Sequence, residues 1–196
     1  MKRTTLAIIV ICIVVAGFSC HSRDAGVSSP VTNVDVIIPL AVGNQWVTHT
    51  ASWDSSGRPN VTLIDTARIT RDSTIQFERW FVDKRGNCVT NRPTGYWVLS
   101  NSVPALFLKY PVSLNDKYVY GSDGVQVVSV DTSITVPAGT FKCVCYKMIY
   151  SIQGIAHQIL LASLNKGMIR REVVARTPGG REYLESRADL QSFQLQ

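Results

Sequence analysis

Helical periodicity is what this sequence most lacks. Beyond its first twenty residues, apolar side chains nowhere hold a 3.6-residue spacing through three turns, which argues against any helical architecture. Long apolar runs are missing too. The longest, Leu6 to Phe18, has thirteen residues, whereas a helix needs roughly 20 to cross a bilayer core. A permanent span there is excluded. Charge of one sign never accumulates. The 20 Lys and Arg against 14 Asp and Glu are scattered, with no basic run of five or six, so the footprint of a nucleic-acid binder is absent.

The sites of chemistry are equally sparse. No G-x-S-x-G, H-E-x-x-H, C-x-x-C or EF-hand loop occurs. The three histidines, His21, His49 and His157, have no ligand spacing with each other or with cysteine. The glycine turns Gly121-Ser122-Asp123-Gly124 and Pro178-Gly179-Gly180 precede no helix that could cradle phosphate. No catalytic residue, metal or cofactor is therefore expected. Glu172, Glu182, Glu185 and Asp189 lie close in sequence to Arg170, Arg171, Arg181 and Arg187. That arrangement reads as a cross-strand surface ion network, which contributes little stability.

What is present begins with Met1-Lys2-Arg3, a basic start, followed by the apolar run and the small pair Ala16-Gly17. This is the layout of a signal peptide, residues 1–19. Phe18-Ser19-Cys20 closes it. A small residue before cysteine at that point resembles the lipobox of bacterial lipoproteins. The resemblance implies cleavage between Ser19 and Cys20 and acylation of Cys20; the alternative is an ordinary cleaved leader with an incidental cysteine. Two or three acyl chains, at about 0.8 kcal/mol per buried methylene, anchor stably where one is marginal. Loss of the leader removes Lys2 and Arg3 and leaves 18 basic against 14 acidic residues. Residues 20–36 then read as lipidated cysteine and flexible linker, rich in Ser, Asn, Asp and Gly without period.

A single domain is expected over 37–190, with 191–196 as a frayed tail. Its pattern is short alternating stretches separated by turn residues every eight to fifteen positions. The fold class is all-β: a strongly curved antiparallel sheet or partly open barrel of about ten to twelve short strands. One strand, Gln126 to Val136, alternates with Val128, Val130, Ile134 and Val136 on the expected inner face. Another is expected from Gln76 to Asp83. Ile38 to Val47 and Tyr110 to Val119 share one pattern at an offset of 72, read as two uses of one way to begin a strand rather than a duplication.

Cys88, Cys143 and Cys145 are the thiols left in the body. Cys88 could bridge to either of the others in an oxidising envelope, or all three could be buried and reduced. Cys143 and Cys145, two apart on one strand, are awkwardly placed for a mutual bridge. The aromatics Trp46, Trp53, Trp80, Trp97, Phe77 and Phe81, with Tyr96 and Phe107, concentrate in the first half. They either fill the core or line an apolar cavity.

Three segments, Pro39 to Trp46, Val136 to Phe141 and Asn165 to Glu172, are similar to a pattern of uncharacterised bacterial envelope lipoproteins. That pattern reads roughly P-L-x-x-G-x-x-W, V-P-A-G-T-F and G-x-I/V-x-x-E. The resemblance implies a fold and an envelope location, and no reaction. The strand order is distantly similar to curved-sheet carriers of the LolA and LolB type, an analogy with no shared motif. The combined expectation is a lipid-anchored envelope protein acting as a non-catalytic binding or structural module; the alternatives are a periplasmic-side carrier or chaperone for an acyl chain or lipoprotein in a curved-sheet cavity, and an enzyme with no recognisable motif. Its expected partners are the membrane and an apolar small molecule or an envelope protein, and not nucleic acid. His21 after the cysteine leans toward the outer membrane in a Gram-negative cell. Labelled palmitate is expected to mark wild-type protein and not Cys20→Ala, with only the former in the membrane fraction; equal label or equal fractionation would rule out acylation at Cys20.

Overall fold

The computed structural model describes residues 35–150 and 154–196; Ser19, Cys20, the leader and most of the tether lie outside them. Twelve strands follow one another. They are β1 (Gln45–Trp53), β2 (Pro59–Ile75), β3 (Glu78–Asp83), β4 (Cys88–Arg92), β5 (Gly95–Ser100) and β6 (Val103–Lys109). The second half holds β7 (Lys117–Tyr120), β8 (Asp123–Val136), β9 (Gly139–Ile149), β10 (Ile155–Ser163), β11 (Gly167–Arg176) and β12 (Glu182–Gln194). All belong to one antiparallel sheet in the order β6-β5-β4-β3-β2-β1-β12-β11-β10-β9-β8-β7, nearly closed into a barrel. The expected all-β, strongly curved architecture is what the chain adopts.

Sequence neighbours pair everywhere except between β6 and β7, while the chain-distant β1 and β12 pair along most of their length. The barrel is thus closed by its first and last strands and left open in mid-chain. Tyrosine side chains span that opening. The Tyr118 hydroxyl donates to Phe107 O at 2.8 Å and accepts from Lys109 N at 3.3 Å. Tyr146 donates to Lys109 O at 2.8 Å. The backbone groups of β6 that lack a ladder partner are satisfied there by phenols, and burial raises the pKa of both phenols. Phe107 and Tyr120 meet edge to face at 5.0 Å across the same gap.

Two hydrophobic clusters lie on opposite faces of β9 and β10. Val144, Tyr146 and Met148 join Leu160, Ala162 and the buried Ile37 in the first. Cys143, Cys145 and Leu161 join Ile169, Leu190 and Trp46 in the second. These strands are buried on both faces because the β8–β9 hairpin folds back over β12. Ala138 N donates to Leu190 O at 3.2 Å, and Phe141 meets Phe193 edge to face at 6.2 Å.

The structure departs from the sequence expectations in three places. In β8 the inner residues are Val125, Val127 and Val136, while Val128 and Val130 are exposed. Irregularities between Val127 and Thr132 shift the alternation by one, and a bulge moves every later side chain to the other face. The strand expected from Gln76 begins at Glu78, because Gln76 and Phe77 take positive φ as a turn after the longer β2. The tail 191–196 does not fray. β12 runs to Gln194, Leu195 packs on the second cluster, and Gln196 N donates to Asn44 Oδ1 at 2.8 Å.

The match at an offset of 72 extends to hydrogen bonding. Gly43 N donates to Ile69 O and Ile69 N to Asn44 O; Asn115 N donates to Val127 O and Val127 N to Asp116 O. The two Pro-led entries therefore build one frame ahead of β1 and of β7. Replacing the seam tyrosine, Tyr118→Phe, is expected to lower unfolding free energy by about 1–3 kcal/mol, because two buried backbone groups lose their partner. Urea denaturation measures it, and an unchanged midpoint would show that the seam is satisfied otherwise.

Candidate functional site

Successive connections of an up-and-down sheet alternate between its two ends. At one end lie the entering chain, the β10–β11 turn and the C-terminus. The turns β1–β2, β3–β4 and β5–β6 lie at the other. The entering chain is fastened by side-chain amides. Val36 N donates to Asn165 Oδ1 at 3.1 Å, Asn91 Nδ2 to Ile38 O at 2.9 Å, and Asn44 Nδ2 to Pro39 O at 3.0 Å. Beneath it Trp46 is fixed by its indole N–H, which donates to Lys166 O at 2.6 Å. Gly167 permits that approach. Its φ is +103°, and a Cβ on it would stand 3.0 Å from Trp46 Nε1.

Under this roof is a chamber of about 150 Å³. Its wall includes Ile38, Leu40, Trp46, Val89, Tyr96 and Met168, drawn from or packed against both hydrophobic clusters. A dry apolar cavity of about that size holds a benzene-sized guest. Two further cavities adjoin it toward the far end. One, about 330 Å³, shares Asp83, Val89 and Tyr96 with the chamber and reaches Asn87, Cys88 and Ser100. The other, about 290 Å³, shares Thr48 and Met168 and reaches Asp65, Arg85 and Arg171.

The β3–β4 turn stands between these two branches. Asp83 accepts from Arg85 N at 2.8 Å, Asn87 N at 2.9 Å and Asn87 Nδ2 at 2.8 Å, which holds the turn tight. Lys84 Nζ reaches Asp65 at 3.0 Å, and Arg85 pairs with the same carboxylate. The Lys84 hydrogen bond, then that of Arg85, keeps the Asp65 carboxyl below its usual pKa against the opposing effect of burial. Tyr96 forms the partition of the chamber. Burial raises its phenol pKa, and the Asp83 charge adds to this.

Of the aromatics singled out in the sequence, Trp46, Tyr96 and Phe107 line these cavities. The others do not. Phe77 is fully exposed at the β2–β3 tip. Trp80 is buried, and the Arg92 guanidinium stacks over it at 5.6 Å and over Trp97 at 4.4 Å. Glu78 holds that guanidinium through two hydrogen bonds, 2.8 and 2.6 Å. Phe81 packs on the second cluster under Arg79, and Trp53 ends β1 half-buried. Ile38, Leu40 and Met168 line the chamber, and the exposed Arg171 edges its neighbouring cavity, with no signal in the sequence, because residues far apart in the chain supply these walls.

Cys88, Cys143 and Cys145 are free thiols, so the bridge that the sequence allowed is not formed. Cys143 and Cys145 sit within the second cluster, whereas Cys88 sits beside the Gly86 carbonyl in the β3–β4 turn. Burial pushes the Cys143 thiol up to about 11 and raises that of Cys145, which makes both poor nucleophiles. Among the described residues no group of three His, Cys, Asp or Glu is arranged to hold a metal ion. The ion network is real in part: Arg170 pairs with Asp189, Arg187 with Glu172 and Arg176 with Glu182. His49 stands opposite Asp189 and Ile64 in the ladder. His157 lies 3.8 Å from Glu182.

No protein-family model matches the chain, and no curated protein does. Solved structures do. One, named an exported protein with a YmcC-like fold from Bacteroides fragilis NCTC 9343, superposes with a TM-score of 0.51 at 14% identity. It covers 83% of this chain and 100% of its own, so the fold is shared. A second, named a lipoprotein from Parabacteroides distasonis ATCC 8503, superposes with a TM-score of 0.47 at 15% identity, over 83% of this chain and 100% of its own.

Burial lowers the pKa of His157, helped by Lys147 and Arg176 and opposed by Glu182. The unfolded chain therefore binds the proton more readily than the folded one. The stability is complete above the unfolded histidine value of about 6.5 and is lost as pH falls through the depressed folded value. Comparing denaturation midpoints at about pH 7.5 and 5, wild type is expected to lose more stability than His157→Gln. Equal losses would mean that the imidazole titrates alike in both states.

Proposed function

We propose that this chain is an exported, non-catalytic binding module, held in the bacterial envelope by lipid on Cys20, whose barrel interior receives an apolar ligand. The observation that carries the ligand is the chamber under Trp46. Its wall is mostly apolar, with Arg68, Thr48 and Asp83 as its polar members, and two wider cavities share wall residues with it. Ligand pockets combine these features, a mostly apolar wall with a few polar groups that set orientation. Envelope location is supported by the leader and Cys20 in the sequence. The Bacteroides fragilis protein of the same fold is itself named as exported.

A purely structural module would have no use for an unfilled interior, since a packed core is the more stable arrangement. The carrier reading, in which the ligand is an acyl chain or the lipidated end of another protein, uses the same interior. An uncharged naphthylamine dye that brightens in apolar surroundings is expected to bind saturably to the mature chain. Ala67→Trp, which places an indole in the chamber wall opposite Trp46, is expected to weaken binding by about tenfold or more. No saturable binding by wild type, or equal binding by the variant, would overturn the assignment.

A further inference from the structure

The branch that joins the chamber through Thr48 and Met168 carries charge of one dominant sign. Asp65 faces two cations, Lys84 and Arg85. Arg171 lines the same cavity, opposite Leu160 on one side and Ala188 on the other, and makes no ion pair among the described residues. Two cations, Arg85 and Arg171, thus line the cavity against one carboxylate, Asp65, beside the hydroxyl-bearing Thr48 and Thr50, and Arg171 is the one left without an acidic partner among the described residues. Away from the β3–β4 turn the chamber wall is mostly apolar, Arg68 and Thr48 being its polar members, and it ends under the Trp46 indole. A space that is cationic at one end and apolar at the other matches a molecule with the same polarity reversed in sign.

We infer that the interior takes a single-chain anionic amphiphile, its tail in the chamber under Trp46 and its carboxylate or phosphate head beside Arg171 and Arg85. This rests on the interior-binding reading above and adds the class of ligand. The head exchanges water for charge-assisted hydrogen bonds from guanidinium groups. The tail gains apolar surface without displacing a packed side chain.

Calorimetric titration of the whole mature chain, carrying Cys20→Ala so that no acyl group of its own competes, tests the inference with hexanoate, hexyl phosphate and hexanol, whose six-carbon tails suit the size of the chamber. The anionic ligands are expected to bind about tenfold or more tightly than the alcohol, the advantage of a hydrogen bond to a charged group. Arg171→Gln is expected to remove most of that advantage, and Arg171→Lys to retain it. Hexanol binding as tightly as the anions, or Arg171→Gln keeping the full preference, would overturn the anionic head and leave the apolar interior standing. No binding of any of the three would overturn both.

Discussion

The barrel depends on satisfying the edge of β6. A sheet that stops there exposes a row of backbone donors and acceptors, which elsewhere recruit other chains. Here β7 is too short, at four residues, to supply a full ladder. The hydroxyls of Tyr118 and Tyr146 supply partners instead, bonded to Phe107 O, Lys109 N and Lys109 O. Tyr146 is at the same time a fully buried member of the first cluster, so the closure is tied to the core. Closure by side chains keeps the two edges together without the close approach that a hydrogen-bonded ladder would require.

An interior kept this way is filled unevenly. Leu108, Val127, Leu160 and Tyr146 are wholly buried and pack as a core should. Toward β1, β2 and β4 the walls separate and leave the chamber. Its roof is the entering chain itself, with Ile37 buried in the first cluster and Ile38 and Leu40 facing the cavity. Burying an isoleucine contributes about 1.5–3 kcal/mol, enough with the Asn165 and Asn91 hydrogen bonds to hold this segment as part of the domain. Asp35 and Val36, expected in the tether, are therefore bonded to the domain: the Asp35 carboxylate receives Asn165 Nδ2 and Val36 N donates to Asn165 Oδ1.

The three segments singled out in the sequence serve one end of the barrel. Pro39 to Trp46 forms the roof and its indole post. The Asn165-Lys166-Gly167 turn holds both that indole and the entering chain. Pro137-Ala138 places the β8–β9 hairpin over β12. Such motifs specify how a barrel end is built, which is why they carried fold and no chemistry. The same logic accounts for the failures. Phe77 belonged by type to a buried set, yet a turn with positive φ carries it into solvent. Nothing local distinguishes it from Phe81.

Strand identity was legible because alternation and turn chemistry are local. β1 runs from Gln45 to Trp53, the span that the residues themselves indicate. The leader and Cys20 are likewise written in a contiguous stretch. Which strand lies beside which was not legible, since the β1–β12 pairing joins residues about 140 apart and no short window records it. The phase of β8 was lost for the same reason, as its irregularities answer to β9 rather than to its own residues. The interior is a further step removed. Thr48, Asp65, Arg85, Met168 and Arg171 come from three strands and a turn, and only the pairing of the sheet brings them to one space. Local chemistry determined the strands; long-range packing alone decided which side chains line the cavities and which charges face them.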